Sequence, residues 1–328
     1  MAEAAISPAR ADAPIKGILI LIAGTAIFSV QDVLIRLLSG GYAAHEIVFV
    51  RCFFALLLVV PFALFTGGAA RFKTNRLRLH VTRSFAGFLA YTFYYMAIAA
   101  IPLADAVAIT FSAPLIVTAL STVFLGESVG KHRWMAVIVG FAGVILMIRP
   151  GVGSFDPAAL LALVAALCYG AMILMTRRLG GSEHPTSMLI FTTLSFLVFS
   201  TVIGLVIGDG AYNNDSHASA AFLLRAWTWP ETADLAKMAA CGLIFSVGVY
   251  CLSTAYSIAP PGTVTPFEYT AIIWAVVWGY AIWDEAPDAM TLAGMAVVVA
   301  SGLYVVHREN VRNRTVVGDH AMRPRAGG

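Results

Sequence analysis

The sequence predicts an all-α integral membrane protein with ten transmembrane helices arranged as two inverted five-helix repeats. Composition is the first of three observations behind this fold class. Of the 328 residues, 59% are hydrophobic and 12% are charged, and the mean hydropathy is +0.83. Soluble domains carry about a quarter charged residues and less than half apolar residues. The composition therefore excludes an ordinary soluble protein.

The second observation is an apolar stretch that occurs twice. Residues 109–127 align without gaps on residues 267–285, and each copy is a 19-residue apolar run that ends in a glutamate. Each copy is followed by a short polar turn, a second apolar run and a basic residue, Arg149 or Arg308. Such hydropathy symmetry between two halves is typical of membrane proteins built from duplicated helix bundles.

Ten apolar segments can be followed along the chain, each near the ~20 residues that cross a bilayer as a helix. Helices are expected because hydrocarbon offers no partner for backbone N–H and C=O groups. The first segment is too long for a signal-peptide core and lacks a small-residue cleavage site after it, so we expect it to be retained. The predicted spans are 17–38, 45–65, 81–100, 103–125, 134–148, 158–175, 187–207, 237–257, 262–283 and 290–306.

These spans divide the chain into four parts. Residues 1–16 and 307–328 are predicted to be cytoplasmic tails, and residues 17–149 and 157–306 are predicted to be the two five-helix repeats. Because five is an odd number, the second repeat must insert upside down relative to the first. The duplication therefore predicts an inverted repeat.

The third observation is the distribution of Lys and Arg. With a cytoplasmic N-terminus, the inner segments hold sixteen Lys and Arg residues, whereas the outer loops hold only Arg149 and Arg225. Cytoplasmic loops of membrane proteins carry such an excess of basic residues. Both termini are therefore predicted to be cytoplasmic. The net charge of +3 is too small to indicate nucleic acid as a partner.

Several functional classes lack support in the sequence. The four cysteines lie in apolar runs without paired spacing, which predicts neither a disulfide framework nor a zinc site. All seven histidines fall in loops or tails, so we expect no metal site inside the membrane and no cofactor. The turn at 126–131 lacks the spacing of a phosphate-binding loop, which argues against ATP drive by this chain. The HExxH and GxSxG patterns of enzymes are also missing.

Short stretches in both halves carry a resemblance to a known family. In the first half they are 32–36, 49–51 (Phe-Val-Arg), 101–105 (Ile-Pro-Leu-Ala-Asp), 113–115 and 124–127 (Phe-Leu-Gly-Glu), and in the second half they are 266–270 (Pro-Phe-Glu-Tyr-Thr), 283–285 (Trp-Asp-Glu) and 301–304 (Ser-Gly-Leu-Tyr). On these residues the chain resembles the drug/metabolite transporter superfamily, in its bacterial EamA-type branch. Trp-Asp-Glu departs from the Leu-Gly-Glu of the first half.

The resemblance implies a function as well as a fold. It implies a secondary transporter, not driven by ATP, that moves a small organic metabolite across the bacterial inner membrane by alternating access around a central cavity. The chain is most similar to the subgroup of S-adenosylmethionine uptake proteins, with riboflavin transporters close, so solutes of these two kinds are expected. Export of amino acids or related metabolites is an alternative, and a membrane-embedded enzyme is an alternative of another class. Import or export, proton coupling, and a monomer or homodimer all stay open.

Polar residues inside the predicted spans are the candidate binding groups, because a charge at the bilayer centre costs at least ~2.5–3.5 kcal/mol on insertion scales. Thr25, Ser29, Asp32 and Arg36 recur at helical spacing and form one stripe on span one. Asp32 and Arg51 have equal depth on neighbouring spans, which predicts an ion pair that either joins the two helices or contacts the solute. Arg36 lies close enough to the surface to extend its charge into water.

Two further polar stripes are predicted, on spans three and eight. Tyrosine rings suit a flat, partly polar solute but also pack helices together, and small hydroxyl residues commonly join membrane helices. These stripes are Arg83, Gly87, Tyr91 and Tyr94, with Tyr95 beside them, and Ser246, Tyr250, Ser253 and Ser257.

Glu268 is the acid that most requires an explanation, because it lies about six residues inside span nine and that span has no basic residue. We expect it to bind a cationic part of the solute or to carry the coupling proton. The alternative is a hydrogen bond to a nearby Tyr or Ser that holds the span in place. Pro114 is predicted to kink span four. The full set of solute- or proton-binding candidates is Glu268, Asp32, Arg51, Arg83, Tyr91, Tyr94, Tyr95, Tyr250, Ser253, Tyr269 and Trp274.

Overall fold

A computed structural model describes residues 14–125, 130–150, 156–179, 183–213, 216–259 and 261–321, and the regular secondary structure in these ranges is helical. Glu127, the acid that ends the first repeated stretch, lies outside them. The α-helices are α1 (Pro14–Leu38), α2 (Ala44–Gly67), α3 (Leu77–Ile98), α4 (Leu103–Thr110), α5 (Ala113–Leu125), α6 (Lys131–Ile148), α7 (Ala158–Leu179), α8 (Pro185–Ile207), α9 (Ala218–Leu224), α10 (Thr232–Ile258), α11 (Pro261–Val264), α12 (Thr270–Trp283) and α13 (Ala289–Ala321).

Eight helical segments in the described ranges are long and apolar enough to cross a membrane. The predicted third and ninth spans are not among them. Helix α3 is 22 residues long but carries Arg78, His80 and Arg83 in its first half, and α12 is only 14 residues long. The eight segments are Pro14–Leu38, Ala44–Phe72, Leu103–Thr122, Lys131–Ile148, Ala158–Thr176, Pro185–Ile207, Thr232–Tyr256 and Ala289–Arg308. The count of ten spans stays a prediction.

The predicted fourth span is interrupted, because α4 ends at Thr110 and α5 begins at Ala113. Pro114 has no N–H group with which to bond the carbonyl of Thr110, four residues earlier, so the regular helical ladder cannot continue there. The helix is therefore interrupted at the place where the sequence predicted a kink.

The predicted ninth span is interrupted as well, which the sequence analysis missed. The four-residue α11 is followed by a 3₁₀ segment, Thr265–Tyr269, before α12 begins. Pro266 lies in this segment. In the gapless alignment of the repeated stretch, residues 111–112 correspond to residues 269–270, so both interruptions fall at the same place in the repeat.

The helices pack in pairs that join the first half of the chain to the second. Helix α1 packs along α10, α3 along α7, α2 along α8 and α6 along α13, and α4 contacts α12. The largest buried apolar cluster includes Ile47, Tyr95, Ile98 and Leu103. Large apolar side chains such as Phe65 and Leu205 are exposed on the outer faces of the helices. Exposed apolar surface on this scale suits contact with hydrocarbon rather than water.

Polar contacts join the loops at each end of the bundle. At one end, Arg76 Nη1 donates to the carbonyl of Arg178 (3.1 Å). At the other end, Arg149 pairs with Asp288, where α6 ends and just before α13 begins. Hydrogen bonding by the Arg149 guanidinium holds the pKa of the Asp288 carboxyl well below its usual range.

Candidate functional site

The polar stripe of α1 faces α12. Thr25 Oγ1 lies 3.0 Å from Thr270 Oγ1, and Trp278 Nε1 donates to Ser29 Oγ at 2.9 Å. Both pairs advance in the same direction along the two helices, so α1 and α12 run parallel. The periodicity of the stripe therefore located a polar helix interface correctly.

Arg36 continues this interface at the end of α1, where the expectation of a solvated side chain is wrong. Its Nη1 and Nη2 atoms donate to the two carboxylate oxygens of Glu285 at 2.5 and 2.6 Å. The side chains are only 12% and 26% exposed, and the guanidinium lies 4.3 Å from the ring centroid of Trp283. The backbone N–H of Leu103 also donates to Glu285, at 3.4 Å. The pair therefore joins the ends of α1 and α12 to the start of α4.

The predicted direct ion pair between Asp32 and Arg51 does not form. Arg51 Nη1 donates to the hydroxyl of Tyr95 at 2.5 Å, and the hydroxyl of Tyr94 donates to Asp32 Oδ2 at 2.9 Å. Each of these consecutive tyrosines of α3 is hydrogen-bonded to one of the two charged side chains. The prediction considered only α1 and α2, whereas the hydroxyl groups come from α3.

The guanidinium of Arg51 is enclosed by aromatic rings. Its carbon lies 5.5, 5.7 and 4.9 Å from the ring centroids of Tyr91, Tyr95 and Phe245, and Arg51 is 0% exposed. Gln31 Nε2 donates to the same Tyr95 hydroxyl at 3.1 Å. Aromatic faces attract cations, more strongly where water is excluded. Neither Gln31 nor Phe245 was a sequence candidate.

Glu268 lies in the 3₁₀ segment between α11 and α12. The hydroxyl of Tyr256 donates to Glu268 Oε1 at 2.6 Å and lies 3.2 Å from Thr265 Oγ1. Among the residues that the structure describes, no basic side chain pairs with this carboxylate. The hydrogen bond to a tyrosine is the contact that one of the two interpretations predicted. Tyr256 itself was not a candidate, although it lies twelve residues earlier, near the end of α10.

Tyr269 and Trp274 follow Glu268 and carry buried polar atoms without a partner in the described ranges, namely the hydroxyl and Nε1. The ring of Tyr269 lies 5.2 Å from that of Phe111, centroid to centroid. Its hydroxyl occupies space left by Gly302, because a Cβ atom there would lie 1.6 Å from the hydroxyl oxygen. This close approach of α13 requires glycine.

The remaining candidates lie elsewhere. Arg83 links α3 to two neighbouring helices, because its Nη2 donates to the carbonyl of Met188 (3.0 Å) and to Thr192, and its Nη1 lies 3.4 Å from Thr176 Oγ1. Such contacts indicate a structural role.

Tyr250 and Ser253 lie on the exposed face of α10. Tyr250 is 58% exposed, and its ring meets the Phe62 ring edge-on at 6.1 Å. The structure does not bring these two residues to the buried candidates.

The buried and half-buried candidates other than Arg83 form two clusters at different depths. The first cluster contains Asp32, Arg51 and the tyrosines of α3. The second contains Glu268, and its depth on α1 is marked by Thr25, whose partner Thr270 follows Glu268 by two residues. Seven residues separate Thr25 from Asp32, which is about 10 Å along a helix axis. In the described ranges, no group of three or more His, Cys, Asp or Glu residues could hold a metal ion.

Solved and curated proteins resemble the chain over most of its length. A crystal structure shares its fold with a TM-score of 0.61 at 15% identity, covering 90% of this chain and 98% of the other. The S-adenosylmethionine uptake transporter of Rickettsia prowazekii is 24% identical, over 86% of this chain and 89% of its own length. The riboflavin transporter of Rhizobium johnstonii is 29% identical, over 94% and 96%. The pseudopaline exporter CntI of Pseudomonas aeruginosa is 26% identical, over 87% and 94%.

A family model describes both halves of the chain. The model of the EamA-like transporter family matches residues 15–149 and again residues 156–307. The two matches cover most of the sequence and leave a short connection between them. The chain is thus a multi-pass membrane protein that belongs to the EamA-like transporter family.

Proposed function

We propose that the protein is a secondary transporter that moves a small organic metabolite across the bacterial inner membrane by alternating access. The observation that carries this proposal is the position of Glu268, a carboxylate at an interruption of a membrane helix that is bound by the hydroxyl of Tyr256. Ionisable groups inside membranes are costly and commonly mark solute or proton pathways. Interrupted helices commonly form the central site of transporters.

The proposed scaffold consists of two inverted five-helix repeats, residues 17–149 and 157–306, with tails 1–16 and 307–328 in the cytoplasm. In it, α3 and the interrupted segment that ends in α12 supply two spans beyond the eight apolar ones. The packing supports this arrangement, because a two-fold relation between the repeats would exchange the α1–α10 pair with the α7–α3 pair. Phe111 and Tyr269, which correspond in the repeat, are in ring contact, as expected near such an axis.

The solute is proposed to resemble S-adenosylmethionine or riboflavin. The printed names of the relatives in Rickettsia prowazekii and Rhizobium johnstonii support these two solutes. Export is the alternative direction, and the pseudopaline exporter supports it. Glu268 is proposed to bind the cationic part of the solute or to carry a coupling proton, because it is an acid that lacks a basic partner among the described residues.

Uptake into liposomes that contain the purified protein tests the proposal. Labelled S-adenosylmethionine and labelled riboflavin are offered with and without an imposed pH gradient. We expect the wild-type protein to accumulate one of them above protein-free liposomes. We expect Glu268→Gln, which keeps the shape but cannot ionise, to reduce uptake about tenfold or more, as for the loss of a charged hydrogen bond, or to abolish its dependence on pH.

Glu231→Gln is the matched control, because Glu231 is exposed just before α10. It should transport at the wild-type rate. Unchanged uptake and pH dependence in Glu268→Gln would contradict a transport role for this residue. Equal accumulation by protein-containing and protein-free liposomes would contradict transport of either solute.

A further inference from the structure

We infer that the cluster around Asp32 and Arg51 is a second binding site, which takes the α-amino carboxylate group of a zwitterionic solute. Arg51 binds the carboxylate, and Asp32 binds the ammonium group. The inference rests on the proposed transport function, because it names the chemical class of solute that the transporter carries. It concerns residues about 10 Å along α1 from the depth of Glu268.

Arg51 provides unused donors for an anion. A guanidinium has five N–H donors, yet its described partners are the Tyr95 hydroxyl at 2.5 Å and the weakly accepting Sγ of Cys52 at 4.0 Å. Its Nε atom is buried without a partner. None of these partners is an anion, and a buried cation without one is costly. The surrounding aromatic rings offset part of that cost.

Asp32 and Gln31 provide unused acceptors on the neighbouring helix. The Asp32 carboxylate accepts one hydrogen bond, from Tyr94, in the part of the chain that the structure describes. The Gln31 side chain is 1% exposed, and its Oε1 atom has no partner there. Its Nε2 atom is held by the same Tyr95 hydroxyl that holds Arg51. Arg51, which has unused donors, and Gln31, which has an unused acceptor, therefore donate to the same hydroxyl group.

The two charged side chains are bound by neighbouring tyrosines rather than by each other. Tyr94 and Tyr95 are consecutive, their ring centroids are 5.9 Å apart, and each hydroxyl binds one of the charges. Two opposite charges that are bound to neighbouring hydroxyl groups, and not to each other, match a ligand whose ammonium and carboxylate groups are attached to the same carbon atom. A carboxylate can form a bidentate pair with the guanidinium, and an ammonium group can donate to Asp32 and Gln31.

This site discriminates between the two proposed solutes. S-adenosylmethionine carries an α-amino carboxylate, whereas riboflavin carries neither an ammonium nor a carboxylate group. Riboflavin would leave both Asp32 and Arg51 without a counter-charge. The site is closed in this conformation, since Arg51 is fully buried. Alternating access supplies a second conformation in which it opens.

Binding to the wild-type protein in nanodiscs is the first test, and it needs no variant. The probes are S-adenosylmethionine, its decarboxylated analogue and riboflavin, measured by equilibrium dialysis. We expect the decarboxylated analogue to bind about 10- to 100-fold more weakly than S-adenosylmethionine, because the carboxylate contacts are lost. Equal binding of these two probes, or binding of riboflavin alone, would overturn the inference.

Arg51→Gln is the second test, and it identifies the partner of the carboxylate. The variant should weaken S-adenosylmethionine binding about 10- to 100-fold, as removal of the carboxylate does. It should leave binding of the decarboxylated analogue nearly unchanged. Asp32→Asn should weaken both probes, since both keep the ammonium group. Arg78→Gln is the control, because Arg78 is exposed on α3. Equal losses for both probes in Arg51→Gln would indicate a structural role and overturn the assignment.

The two proposals can fail separately. Uptake of riboflavin with no binding of S-adenosylmethionine would overturn the zwitterion site and leave the transporter intact. If no probe bound and none was accumulated, both proposals would be contradicted for these solutes. If Arg51→Gln does not fold, the wild-type comparison of the two adenosyl probes still decides the inference.

Discussion

At the scale of single residues, tyrosine hydroxyl groups rather than opposite charges bind three buried or half-buried ionisable groups. Tyr94 binds Asp32, Tyr95 binds Arg51 and Tyr256 binds Glu268. A neutral hydroxyl satisfies part of the hydrogen-bonding capacity of a charge without neutralising it. Such a charge can still bind a solute or a proton, whereas a charge in a buried ion pair must first lose its partner.

The Arg36–Glu285 pair differs from these groups, because its two opposite charges bind each other directly. The contact is bidentate and largely buried. We predict that Arg36→Met and Glu285→Gln each lower the free energy of unfolding by roughly 1–3 kcal/mol, because each leaves a charged partner behind. The double variant should cost less than the sum of the two single changes. Reversible unfolding in detergent measures this coupling.

The half-exposed pair Lys237–Asp234 within α10, whose lysine side chain is 42% exposed, serves as the control for that cycle. Its coupling should stay within about 0.2–1 kcal/mol, the range of exposed pairs. Additive costs for Arg36→Met and Glu285→Gln would show that the bidentate pair contributes nothing to stability beyond its separate parts.

Sequence periodicity predicted residue positions better than residue partners. The stripe on α1 is real, and three of its members, Thr25, Ser29 and Arg36, contact α12 or the acid just beyond it. The predicted partner of Arg51 was wrong, because depth along a helix does not tell which third helix contributes side chains between two neighbouring helices. Tyr250 was a candidate and Tyr256 was not, because periodicity does not identify which face of α10 points inward.

At the scale of helices, the two interruptions distinguish this bundle from a simple set of continuous spans. Pro114 predicts the first interruption, because proline has no backbone N–H group for the helical hydrogen bond. The second interruption was missed, although Pro266 stands in it, because the hydropathy of 262–283 is continuous. Hydropathy indicates the surroundings of a segment, whereas the backbone hydrogen bonds of the segment also depend on proline and on packing.

The second interruption is held in place by α13. We predict that Gly302→Ala costs roughly 1–3 kcal/mol of stability, as overpacked cores do, because the new Cβ atom would meet the Tyr269 hydroxyl at 1.6 Å. Uptake should fall as well, because Tyr269 follows Glu268 directly. Adding Tyr269→Phe to Gly302→Ala should recover part of the stability, since the ring carbon at 2.7 Å would still be close.

Thermal unfolding in detergent and uptake into liposomes measure these two effects. Gly40→Ala is the control, because a Cβ atom at Gly40 would meet nothing within 4 Å. A stable, fully active Gly302→Ala variant would show that α13 and the 3₁₀ segment can move apart without consequence.

At the scale of the whole molecule, the class of the fold could be predicted because it depends on properties that can be summed or counted along the sequence. Composition, span length and the repeated stretch are such properties, and the family match to both halves agrees with them. The pairing of α1 with α10 and of α3 with α7 could not be read from the sequence. It depends on which apolar faces meet, and nearly every face of these helices is apolar.

The orientation of the chain is the prediction that tests the whole scaffold. With an odd number of spans in each repeat, Lys73 should face the cytoplasm and Asn213 the opposite side, and both residues are exposed. The contact between Arg76 and Arg178 places two predicted inner loops at one end of the bundle, as this topology requires.

Replacing the four native cysteines and adding Lys73→Cys or Asn213→Cys gives two variants for labelling in intact cells with a membrane-impermeant maleimide. We expect Asn213→Cys to react from outside and Lys73→Cys to react only after the cells are opened. Labelling of both positions from the same side would contradict the ten-span topology, because five predicted spans, an odd number, lie between Lys73 and Asn213.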